Sequence, residues 1–402
     1  MFLEKEGKLI YSYDGETVCI EAWGKDALRV RATKNRSFTG RDWALEAKDA
    51  HAGEVEIFED PSAKGGAFAN MYEGTDTSYG KITNGKLHAV IDSGSVITFY
   101  HEDGRVLLKE HFRRLRDEES MPLNIMGREY SNGVGDNFRI VARFVARKGE
   151  KIFGMGQYQQ HELDLKGCML ELAQRNSQVS VPFYLSSIGY GFLWNNPGVG
   201  QVMFANNGTE WVTESGKEID YLVIAGDTPA EIEENYMTLT GKPPMMPEYG
   251  MGFWQCKLRY WNQEQLLSVA RKYKELGVPL DVIVVDFFHW TKQGEFKFDP
   301  KYWPDVPGMC RELKEMGIQV VVSVWPTVDI YSENFEEMKE KGYLVRTEHG
   351  VPLTMLCGGN EVFFDATNPD ARTYVWEKIK KNYYDQGAKL LAGCGRAGIQ
   401  RL

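Results

Sequence analysis

Val282-Ile283-Val284-Val285 is an unbroken run of β-branched residues closed by a carboxylate, Asp286. Such a run has no polar face, so it suits a strand covered on both sides, as parallel strands are. Its surroundings keep to that pattern. Gly252-Phe253-Trp254-Gln255 is a strand candidate, and Asn262 can then cap a helix with Gln265 three residues on. Leu266, Val269, Ala270, Tyr273 and Leu276 give that helix an apolar stripe, and Gly277 ends it. A second helix is expected around Met309–Met316, closed by Gly317, then a third buried strand over Ile318–Val324 and a third helix over Ser332–Lys341. Asn368-Pro369 opens a fourth helix, with Ala371, Tyr374, Val375, Ile379 and Tyr383 facing inward and Gly387 at its end. Strand–helix alternation of this kind means a parallel sheet, either doubly wound or a (β/α)8 barrel. No glycine-rich phosphate loop follows the first strand, and Gly154-Met155-Gly156 lacks both the third glycine and the strand–helix setting, which disfavours a nucleotide fold.

The period differs before residue 240. From Lys8 to about Ala225 the chain reads as short alternating runs broken by turns. Val18, Ile20 and Ala22 alternate with polar neighbours, as do Leu28, Val30 and Ala32, and Asp103-Gly104 marks a tight hairpin after Val96–Tyr100. Many antiparallel strands with hardly any helix imply a large β-sandwich. Pro229–Leu239 is a short amphipathic helix, and the proline-dense Gly241–Pro247 after it marks the junction. The division is residues 1–242 and 243–402, too long together for a single core.

Charge and composition remove several functions. A formal charge of −10 lacks the basic face that nucleic acid or an anionic membrane needs. Met1–Glu6 carries no secretory-signal pattern, and no apolar run is long enough to span a bilayer. The six cysteines are scattered without close pairs, so neither a disulfide framework nor a zinc site is indicated. Free thiols in a reducing cytoplasm are the expectation.

The chemistry is expected where the parallel strands end. Asp286 and Phe287 close the second strand, Trp325 follows the third, and Trp254 is expected near the end of the first, with Lys257 and Arg259 beyond. In a barrel these ends share one bowl. A carboxylate there can accept hydrogen bonds from hydroxyls while indoles cover C–H faces, which suits a sugar. Any single tryptophan is more often core than ligand, and His289 is open between a structural and a functional part. Gln157–His161 can be a loop over the bowl, whereas Asp299, Glu361 and Asp365 read as caps and turns. The sandwich shows no convincing histidine–carboxylate pairing, which argues against a mutarotase.

These residues carry a resemblance. Gly252–Gln255, Asp281–Trp290, Phe298-Asp299 with Trp303–Asp305, Ser323–Pro326 and Phe363–Arg372 are similar, in this order, to motifs of glycoside hydrolase family 31, most of all its α-xylosidase branch. The likeness extends through Gly154–Gln157, Arg175-Asn176, Val181–Phe183 and Leu193–Pro197, covering roughly residues 1–390. It implies a galactose-mutarotase-like β-sandwich followed by the first half of a (β/α)8 TIM barrel. It also implies retaining hydrolysis of substrates with a terminal α-xylosyl or α-glucosyl unit, without metal or cofactor, with a homo-oligomer possible for the intact parent. Asp286, Trp325, Phe287, Trp254 and Gln157 are then the substrate-binding residues. The family's nucleophile is an aspartate at the end of the fourth barrel strand, with its acid/base aspartate further on, and neither is found here. Leu391–Leu402, with three glycines, two arginines and no acid, is not expected to supply a buried strand ending in a catalytic carboxylate. Residues 391–402 are compatible with an out-of-frame reading of the family's nucleophile motif. The expectation is therefore a truncated, inactive chain with a poorly soluble half barrel. An α-glucosidase parent or a non-catalytic carbohydrate-binding fragment is the alternative.

Overall fold

The computed structural model describes residues 1–46, 49–59, 78–111, 113–115, 123–175, 177–347, 349–354 and 360–393. The described residues form two compact units, one up to Pro243 and one from Pro244 to residue 393.

In the first unit alternating apolar residues build a two-layer β-structure. A large sheet, nine-stranded among the described residues, runs in the order Phe2–Lys5, Lys8–Tyr13, Glu16–Trp23, Ala27–Thr33, Ile219–Ala225, Tyr190–Trp194, Val179–Ser186 and Ile152–Gln157, with Ala50–His51 beside Glu16–Trp23. Two five-stranded sheets supply the facing layer, one spanning Glu54–Lys109 and one containing Phe138–Phe144 and Gly208–Gly216. Val18, Ile20, Val30, Ala89, Phe99, Phe144, Phe192, Trp194, Trp211 and Tyr221 pack together between the layers. Offset and edge-on ring pairs such as Phe192–Trp211 at 5.1 Å and Phe144–Tyr221 at 5.4 Å fill this core. The expected hairpin pairs Ile97–His101 with Val106–Lys109, and Gly104 takes φ 86° at its turn. The junction helix is Pro229–Thr240, capped by Thr228, and lays Ile232 and Leu239 against Trp23, Phe183, Leu193 and Leu222.

A histidine–carboxylate pairing does exist in this unit, contrary to expectation. His101 lies 3.2 Å from Asp103 and 3.3 Å from Asp227. It is buried at the hairpin end, where it ties the turn to the segment entering the junction helix.

The second unit holds a parallel sheet, four-stranded among the described residues, in the order Trp254–Cys256, Val282–Val285, Gln319–Val324 and Leu390–Gly393. Each new strand adds beside the last, without the reversal of a doubly wound sheet, so the run is the opening part of a (β/α)8 barrel. Asn262 caps the helix Gln263–Glu275 by accepting from Gln265 N at 2.9 Å, and Gly277 follows at φ 67°. The next helix starts earlier than its apolar pattern suggested, at Val306, because Asp305 accepts from Gly308 N at 2.8 Å. The third expected helix is shorter, Phe335–Glu340, since Asp329 and Ser332 first draw the chain through successive turns. Thr327–Asp329 pairs antiparallel with Glu361–Phe363, a two-stranded ladder that the sequence pattern does not announce. Asn368 caps the helix Pro369–Ile379 as expected, and Gly387 has φ 111°.

Leu390–Gly393 pairs with Val321–Val324, so a fourth strand forms across Leu391, where the segment expected to be out of frame begins. Backbone pairing needs no particular side chain, and Leu-Leu-Ala is compatible with it. The rest of the segment expected to be out of frame, 394–402, lies outside the described residues.

Candidate active site

Which face each side chain takes follows from the packing. Ile283 and Val285 enter the core with Leu266, Leu267, Ala270 and Met309 of the helices. Alternation therefore sends Val284 and Asp286 to the opposite face. Val320, Val322 and Val324 likewise contact the helical layer, which leaves Val321, Ser323 and Trp325 on the other side. In the first strand the Gln255 side chain accepts from Tyr273 Oη at 2.8 Å, on the first helix, so Trp254 and Cys256 share the face of Asp286. The register sets Cys256 beside Val284 and Val285 beside Val322. Cys256, Asp286 and Trp325 consequently gather at the C-terminal edge of the sheet.

Asp286 is half-buried at this edge. Its Oδ1 accepts from Phe287 N at 2.8 Å, and its Oδ2 faces the Cys256 thiol at 3.7 Å. Among the described residues no cation pairs with it. The nearby Arg259 is used otherwise: Nη1 donates to the Phe288 carbonyl at 2.9 Å, and the guanidinium lies 3.8 Å from the Trp261 ring centroid. Phe287 stacks on Trp325 at 5.3 Å, and Trp290 meets the same indole edge-on at 6.4 Å. Phe288 takes φ 62°, uncommon for an aromatic residue, and turns its ring outward. Trp325 lines a crevice with Trp290, Gln293, Gly294, Phe296, Val324 and Tyr383, and its buried Nε1 has no acceptor among the described residues.

His289 is structural. Its Nδ1 lies 2.9 Å from the Asp286 carbonyl and its Nε2 2.9 Å from Tyr383 Oη. Only a neutral ring with the proton on Nδ1 donates to the first while accepting from the second. Burial pushes its pKa down to about 4, in keeping with that neutral form. It holds the carbonyl of the residue whose carboxylate faces the site.

Trp254 lies elsewhere than expected. It begins the first strand, level with Val282, and Cys256 ends that strand. Its half-exposed indole donates to the Gly250 carbonyl at 3.2 Å, so the edge position falls to a cysteine that composition alone left unremarkable. Gln157 is exposed in the first unit, at the end of Ile152–Gln157 and paired with Val179. The glycines before it have a local cause. The register shifts between Gly154 and Gly156, both at positive φ, and a Cβ on Gly156 would clash with the Val179 carbonyl oxygen. Asp299 and Asp365 are turn residues, accepting from Lys301 N and Thr367 N at 2.9 Å. Glu361 instead starts the strand paired with Thr327–Asp329 and accepts from Gln293 Nε2 at 2.9 Å.

Known proteins share this architecture. Residues 243–393 match the model of the glycosyl hydrolases family 31 TIM-barrel domain, and residues 17–202 match that of the glycosyl hydrolase 31 N-terminal galactose mutarotase-like domain. An uncharacterized family 31 glucosidase, ORF2, of Pseudescherichia vulneris is 43% identical over 96% of this chain and 72% of its own length. Alpha-xylosidase A of Aspergillus niger is 30% identical over 93% of this chain, which spans only 51% of that protein. The crystal structure of a GH31 alpha-xylosidase from a soil metagenome, complexed with xylose, superposes with a TM-score of 0.87 at 47% identity, covering 98% of this chain and 57% of that one.

Proposed function

This chain belongs to glycoside hydrolase family 31, and from that premise we propose that its second unit carries the sugar-holding part of a retaining α-xylosidase site. Asp286 accepts hydrogen bonds from hydroxyls of a terminal α-xylosyl unit, while Trp325 and Phe287 cover its apolar face. The observation that carries this reading is a half-buried carboxylate at a parallel-strand end, beside stacked aromatic rings and without a partner cation among the described residues. Such a group has acceptor capacity left for a ligand. Alpha-xylosidases among the relatives, one of them bound to xylose, favour a xylosyl over a glucosyl unit.

Retaining hydrolysis needs two carboxylates about 5–5.5 Å apart, one attacking the anomeric carbon and one serving as acid then base. Neither role is assigned to a residue of this chain, so the 402 residues are proposed to bind the sugar without cleaving it. Titration with xylose, read by tryptophan fluorescence, tests the binding. Saturable quenching that disappears in Asp286→Asn is expected, and equal binding by that variant defeats the proposal. Turnover of an aryl α-xyloside that copurifies with the chain would refute binding without cleavage, and turnover of an α-glucoside alone would point to a glucosidase.

A further inference from the structure

We propose that Cys256 is a positioning residue for Asp286, its thiol donating to Oδ2 and fixing the direction in which the carboxylate meets a sugar. The inference rests on the reading of Asp286 as the sugar's acceptor. Three observations carry it. The first is placement: register and alternation bring Cys256 and Asp286 from adjacent strands to the same face, with Sγ 3.7 Å from Oδ2. The second is the division of the carboxylate's contacts. Oδ1 is held by Phe287 N within its own turn, so Cys256 is what holds Oδ2 among the described residues. The third is protonation. Burial and the neighbouring Asp286 charge both push the Cys256 thiol above its ordinary range, which keeps the S–H present as a donor.

A thiol suits this task because it is a weak donor. It orients the carboxylate without saturating it, whereas a guanidinium or ammonium would take both oxygens in a strong ion pair. The Oδ2 lone pairs then stay available for sugar hydroxyls. Cys256 is also exposed, unlike buried Cys19 and Cys310 and half-buried Cys168. A sugar seated on Asp286 should therefore cover it.

The test compares the full wild-type chain with Cys256→Ala, Cys256→Ser and Asp286→Asn. Xylose binding is read by tryptophan fluorescence, and iodoacetamide labelling of the Cys256 peptide is followed by mass spectrometry with and without xylose. Losing one modest hydrogen bond should weaken xylose binding about five-fold in Cys256→Ala. Cys256→Ser, which keeps an O–H donor, should bind within about two-fold of wild type. Saturating xylose should slow alkylation of Cys256 in the wild type and leave it unchanged in Asp286→Asn. Urea midpoints of the two cysteine variants should match wild type. Wild-type affinity in Cys256→Ala, or failure of Cys256→Ser to restore binding, overturns the inference while leaving the Asp286 reading intact. Absence of binding by the wild type, or undiminished binding by Asp286→Asn, overturns both.

Discussion

Acidifying the solution from pH 7 to pH 5 should weaken the second unit, with His289 responsible for a definable share. Its pKa of about 4 lies below the ordinary 6.5, so the folded ring stays neutral where an unfolded histidine takes up a proton. Above 6.5 both states are neutral and nothing is lost. Between 6.5 and 4 the unfolded chain binds more protons, so stability falls as pH falls, and it levels off below 4. The whole interval corresponds to ~3.4 kcal/mol, of which about 2 kcal/mol is lost by pH 5. Glu295 and Glu361, raised by burial in the same unit, act with opposite sign, since their folded forms hold protons more tightly than the unfolded chain. The informative quantity is thus the difference between wild type and His289→Gln, which can keep a donor for the Asp286 carbonyl but does not titrate. Urea unfolding by tryptophan fluorescence at pH 7, 6 and 5 provides it, helped by Trp290, whose ring stands 4.7 Å from the imidazole. The variant should be weaker at pH 7 yet lose about 2 kcal/mol less than wild type by pH 5. Equal losses in the two proteins would refute the neutral, buried histidine.

Other expectations concern the scaffold. Gly156→Ala should destabilise the first unit by about 1–3 kcal/mol in urea melts, because the added Cβ meets the Val179 carbonyl and φ is 89°. Arg29 donates to both oxygens of Asp220 at 3.0 and 2.6 Å and is fully buried, so Arg29→Met should cost about 3–5 kcal/mol by stranding that carboxylate. Asn368→Ala removes the cap that accepts from Asp370 N at 2.9 Å, and a loss of about 1 kcal/mol in thermal melts is expected.

Much of this structure was legible in the residues. Val282–Val285 announced a doubly covered parallel strand because no position in it tolerates water, and Gly277, Gly317 and Gly387 marked helix ends because each sits at positive φ. Asp286 and Trp325 fall at strand ends because the runs before them stop abruptly. Other features depend on register, which a single strand does not encode. Trp254 looked like an edge residue, but pairing with Val282 sets it at the start of its strand and moves Cys256 to the edge. His289 takes its structural place from Tyr383, 94 positions away, whose hydroxyl meets its Nε2 only in the folded chain. The His101 pairing was hidden in the same way, since Asp227 meets it only through folding. The Leu390–Gly393 strand is hard to read in the sequence because a glycine-rich stretch follows its three apolar residues.

Scaffold and site also differ in how their carboxylates are compensated. In the first unit Arg128 joins Glu16 and Glu110, Arg29 joins Asp220, and Lys8 with Arg31 holds Glu21, all with the carboxylate buried. A buried acid without a cation or donors would be costly, and these groups show how the fold normally meets that cost. Asp286 departs from the pattern. Arg259 passes close by yet spends its donor on the Phe288 carbonyl and its face on Trp261. Among the described residues the carboxylate is left with one amide and one thiol. Introducing a cation at its side separates a structural acid from a binding one. Cys256→Lys should leave the unit folded, since position 256 is exposed, and could stabilise it by up to about 1 kcal/mol if Asp286 were only a surface acid. If Asp286 is the sugar's acceptor, the same ammonium occupies Oδ2 and xylose binding falls at least ten-fold in fluorescence titrations. Undiminished binding in a folded Cys256→Lys protein would return Asp286 to the scaffold.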